Sequence, residues 1–92
     1  MAFDPQADLS NRLLEFLNSD LDLATTFVQI AETELSLHDR EHAARVLAKA
    51  RRALQTVRGF LTKPGLSAEQ VERLTDRCHV LEAAIERVSA DV

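Results

Sequence analysis

The chain has 92 residues, 46% hydrophobic and 28% charged, with four Phe, no Trp or Tyr, and a single Cys. That composition describes one domain with a modest aliphatic core, excludes an internal disulfide and suits a reducing compartment. A net charge of −4 opposes phosphate binding, so no nucleic-acid partner is expected.

The first residues, MAFDPQAD, lack the basic and apolar regions of a signal peptide. No apolar run approaches the roughly 18 residues of a membrane span. A cytoplasmic protein without a membrane partner is therefore expected.

Asp4-Pro5 is a helix-start signal, with Asp as cap and Pro at the first helical position. Leu9, Leu13 and Phe16 mark one face of the helix that follows, flanked by Leu14 and Leu17. Asn18-Ser19-Asp20 are poor interior helix formers and good caps, which predicts a break or kink after residue 17. The series Leu9, Leu13, Phe16, Asp20, Leu23, Phe27, Ile30 nevertheless keeps a 4-3 rhythm through that point. The alternative is one helix of about 30 residues.

From Leu21 to Leu37 the apolar arc is wide, including Leu23, Ala24, Phe27, Val28, Ile30, Ala31 and Leu35. Leu37-His38 reads as a short connection, with Asp39 capping the next helix. Helices joined by so short a loop are antiparallel neighbours.

The next helix, Asp39 to about residue 62, organises the rest. Ala43, Leu47, Ala50, Leu54, Val57 and Leu61 form its core seam, and Val46, Ala53 and Phe60 form a second apolar row. Two rows predict two packing partners. Residues 38–63 hold seven bases against two acids, whereas residues 1–37 hold seven acids against Arg12 alone. A basic helix complementing acidic neighbours is the expected use of that charge.

Pro64-Gly65 ends this helix. Ser67 and Gln70 then have capping-box spacing, with Leu66 and Val71 as the apolar staple. Val71, Leu74, Cys78, Leu81, Ile85 and Val88 follow as a 3-4 stripe over residues 68–89. The expected fold is all-α, an antiparallel three-helix core (about 21–36, 39–62 and 68–89) with an additional N-terminal helical segment.

From Phe27 to Ala53 the chain resembles one tetratricopeptide repeat, through Phe27, Ile30-Ala31, the turn His38-Asp39, Ala43, Leu47 and Ala50. Glu34 stands where that family usually has an aromatic residue, and His38 where it favours Gly. With the longer second helix and one more helix after it, residues 23–90 also resemble the microtubule-interacting and trafficking domain. Both resemblances imply protein-binding grooves between helices and no catalysis.

Few side chains suggest chemistry. His38 and His42, with Glu34 one turn earlier, have metal-ligand spacing, but the pair straddles a turn, where capping explains it as well. Cys78 lies on a core seam, where a thiol is packed and inert. The rival class to an interaction module is a small phosphorelay or enzyme-like bundle using His42 or Glu34.

Two surfaces suggest partners. Arg73, Arg77, Val80, Ala84 and Arg87 form a strip opposite the core seam of the last helix, suited to an acidic amphipathic helix, from another protein or from the acidic N-terminal segment of a second copy. Leu9, Leu13, Phe16 and Leu17 carry too much apolar surface for a solvated arm, so they fold back on the bundle or contact a second chain. The expected function is non-catalytic protein–protein interaction, with a homodimer as the favoured assembly and no cofactor.

Overall fold

The computed structural model describes residues 5–92, with side chains from Asp8 onward. The Asp4 cap expected at the start lies outside the described residues. Among the described residues the fold consists of three helices: α1 (Pro5–Ser36), α2 (Arg40–Leu61) and α3 (Ala68–Ser89). There is no strand among the described residues. Phe16 meets Phe60 at one end of the first pair, and Glu34 meets His42 at the other, so α2 runs back along α1. Arg58 pairs with Glu82 and Arg51 donates to Ser89, so α3 reverses again beside α2.

The expected break after residue 17 does not occur, and the N-terminal segment is the first half of α1. Three poor helix formers at 18–20 cost roughly 2 kcal/mol in total. Keeping the helix intact buries Leu17 and Leu21, each contributing about 1.5–3 kcal/mol, so packing wins. The polar side chains also adapt to the helix. Asn18 donates to the Leu14 carbonyl at 3.1 Å and accepts from Arg77 at 2.7 Å, so it braces α3 instead of capping.

The phase of α1 also differs from expectation. Its core row is Leu14, Leu17, Leu21, Ala24, Val28, Ala31 and Leu35, spaced 3-4 throughout. Ala24, Ala31, Ala43 and Ala50 are fully buried, and small residues at these positions let α1 and α2 approach closely. Leu47, Leu54 and Val57 from α2 and Leu74, Cys78, Leu81 and Ile85 from α3 complete the core. No polar or charged residue is buried among the described residues.

The α1–α2 turn is held by a Schellman pair: His38 N donates to Leu35 O at 3.0 Å and Asp39 N to Glu34 O at 2.8 Å. That geometry forces His38 to a φ of 62°, the left-handed region usually taken by glycine. Asp39 then caps α2, accepting from His42 N at 3.0 Å. His38→Gly should therefore raise stability by about 1 kcal/mol in urea unfolding. A loss of stability would mean that the His38 side chain supplies more than its backbone strain removes.

The loop at 62–67 folds over the first half of α1. Ser10 Oγ donates to Gly65 O at 2.7 Å, and Leu13 lies beside Gly65. Gly65 has a φ of 127°, which a side chain rarely adopts. Ser67 and Gln70 form the expected capping box at the start of α3, with bonds of 3.1 and 2.9 Å.

Candidate interaction surfaces

Leu9, Phe16, Leu23 and Ile30 are spaced by seven on α1, and Leu37 continues the interval past its end. All five are exposed, at 63%, 47%, 48%, 38% and 68%. A seven-residue interval drifts only about 20° per step on a helix, so the four helical members form one outward row. Phe16, Leu23 and Ile30 each precede a fully buried residue, Leu17, Ala24 or Ala31, and so point about 100° away from the core row. The row covers about 32 Å of helix.

On one side the row meets α2. Phe16 packs edge-to-face on Phe60 with centroids 5.8 Å apart. Lys49 lies 5.9 Å from the Phe27 ring, and Lys63 lies 5.1 Å from the Phe60 ring. On the other side stand Asp8, Glu15 and Asp22, each immediately before a row residue. Asp8 pairs with Arg12 at 3.1 Å, and Asp22 with Arg77 of α3 at 2.8 Å.

Of the four residues expected to contact a second chain or fold back, the structure separates the members. Leu17 is 0% exposed and belongs to the core, where no partner reaches it. Leu13 is half-buried under the 62–67 loop. Leu9 and Phe16 remain outward. In the sequence the 4-3 series containing Phe16, Leu23 and Ile30 reads only as helical rhythm, whereas the structure turns these three residues to solvent. The interval of seven, running on to Leu37, was the available signal.

The Arg73–Arg87 strip borders a trough between α1 and α3, of about 540 Å³, floored by Leu21, Val28, Leu81 and Ala84. Val80 stands on its rim, 73% exposed. Arg77 bridges to Asn18 and Asp22, and Arg87 reaches Glu32 at 3.3 Å, so both arginines are engaged by α1. Arg73 pairs with Glu69 on its own helix and takes no part in the trough lining.

At the α1–α2 turn, ligand atoms of Glu34, Asp39 and His42 lie within 4.8 Å of one another. Each already has work there. Glu34 Oε1 is 3.3 Å from His42 Nδ1, tying the end of α1 to the start of α2, and Asp39 is the cap. His38 is not a member of this group.

Burial pushes the Cys78 thiol above its ordinary range, and the pull of Arg58 and Arg77 only partly opposes it. In the folded chain Cys78 should label with a soluble thiol reagent far more slowly than a free cysteine, and quickly in denaturant. Fast native labelling would place it outside the core. The Arg58 guanidinium holds the Glu82 carboxyl below the usual carboxylate range by hydrogen bonding and charge, which marks an ion pair between α2 and α3.

No family model, curated protein or solved structure matches the chain.

Proposed function

We propose that the chain is a non-catalytic protein–protein interaction module that docks a helical protein surface on the outward row of α1. The observation that carries this reading is the row itself, Leu9, Phe16, Leu23, Ile30 and Leu37 at intervals of seven, all exposed. A seven-residue apolar repeat is the spacing by which one helix presents a continuous seam to another. Scattered exposed leucines are ordinary, whereas a sustained row on one helix face is an interaction signature. The resemblance of residues 23–90 to helical-hairpin binding modules supports the same class of function.

Photo-crosslinking tests it. A photoreactive residue in place of Leu23 or Ile30 should crosslink the full chain to protein, either another copy or a different chain. The same residue in place of Glu72, exposed on α3, should not. Absence of crosslinks at the row would contradict the reading.

A second reading concerns the α1–α3 trough, which is favoured by exposed Val80 beside an apolar floor. Arg77 and Arg87 are ten residues apart, so the trough between them has room for about three turns of helix. Exposed ion pairs contribute little, roughly 0–1 kcal/mol, so the carboxylates of an acidic amphipathic helix can replace Glu32 on Arg87. Val80→Asp would then abolish capture of such a partner while leaving crosslinking at Leu23 intact.

A further inference from the structure

Resting on the reading of the α1 row as a docking face, we infer that its occupant is a second copy of this chain, packed about a twofold axis running along the helices. In that arrangement α1 of one copy lies over α2 of the other.

The face is large enough. A strip about 32 Å long on a molecule 19 Å across projects to about 600 Å², comparable with the roughly 800 Å² per partner of a stable interface. Its centre is mostly apolar, with Phe16, Leu23, Phe27 and Ile30 from α1 and Ala53 and Phe60 from α2, and Asp20 of α1 sits among them. A self-complementary patch of this kind is what a twofold dimer requires.

The edges of the face carry opposite charge, and this selects the axis. Glu15 stands on the α3 side of the row, where Asp22 is paired with Arg77 and Asp8 with Arg12, so Glu15 is the acid this edge offers. Lys49 and Lys63 stand on the α2 side, over Phe27 and Phe60, with Arg45 and Arg52 exposed on the same helix. A twofold axis along the helices exchanges left and right, so the acidic edge of each copy meets the basic edge of the other. An axis across the helices keeps left on left, setting acid against acid and base against base, and charge complementarity rejects it. The register follows from the pairing of Phe16 with Phe60. Glu15 of one copy lies level with Phe60 of its twin, and so beside Lys63 of that copy.

Sedimentation equilibrium of the full chain tests the inference. The wild type should be dimeric, and Leu23→Asp should weaken association at least about 100-fold, because it buries two charges, with helical circular dichroism unchanged. Glu15→Lys should weaken the dimer about tenfold, since two edge pairs become repulsive. Adding Lys63→Glu to that variant should restore it. Glu15 and Lys63 are exposed, so this pair of variants keeps the test valid even where Leu23→Asp impairs folding. A wild type that stays monomeric at every concentration overturns the second copy as occupant. Monomeric protein that still crosslinks to a different chain at Leu23 leaves the docking face standing, whereas monomeric protein without crosslinks removes both. A dimer strengthened by Glu15→Lys overturns the axis, because only the crosswise arrangement relieves repulsion by that change.

Discussion

Leu17→Ala should cost about 2–5 kcal/mol of unfolding free energy, because it leaves a cavity at a fully buried position between packed helices. Its neighbour supplies the contrast. Phe16→Ala removes an edge-to-face contact with Phe60 from a half-exposed site and should cost only about 0.5–1.5 kcal/mol. Urea unfolding at one fixed protein concentration compares the two, since association adds to apparent stability. If Phe16→Ala proved the more damaging in the monomer, the phase of α1 would be the 4-3 series containing Phe16, with the outward row turned inward.

Leu47→Ala is expected to be as severe, at about 2–5 kcal/mol. Leu47 is 1% exposed at the middle of α2, in the buried cluster that all three helices share. Val80→Ala, on the rim of the trough, should cost under about 1 kcal/mol, since its side chain is mostly in water already. Equal losses at the two positions would mean that α2 and α3 are rotated from the packing described.

The two later helices could be read almost directly from their spacing. Leu74, Cys78, Leu81, Ile85 and Val88 are all buried, as is the row from Ala43 to Val57, because the bulky members of each stripe sit at unbroken helical spacing. The capping box at Ser67 fixed the start of α3 locally, with no tertiary information needed.

The first helix was harder for two physical reasons. Asn18-Ser19-Asp20 carry a local preference that only the burial of Leu17 and Leu21 against other helices outweighs. The second reason is that α1 has two apolar rows about 100° apart. Residue for residue, the outward row of Leu9, Phe16, Leu23 and Ile30 is the bulkier, so the size of its members points to it as a core row. The true core row carries Ala24 and Ala31, whose small size matters only once α2 is known to lie against them. The arginine strip was visible as residue types on one face, but the engagement of Arg77 and Arg87 by Asp22 and Glu32 depends on where α3 sits beside α1.

The proposed dimer covers the outward row of α1 with a second copy of the chain. Side-chain footprinting of the full chain across a concentration series tests this most directly. Phe16, Leu23 and Ile30 should become protected together as concentration rises, while Val80 stays labelled throughout. Labelling of Leu23 and Ile30 that remains as strong as that of Val80 at every concentration would contradict it.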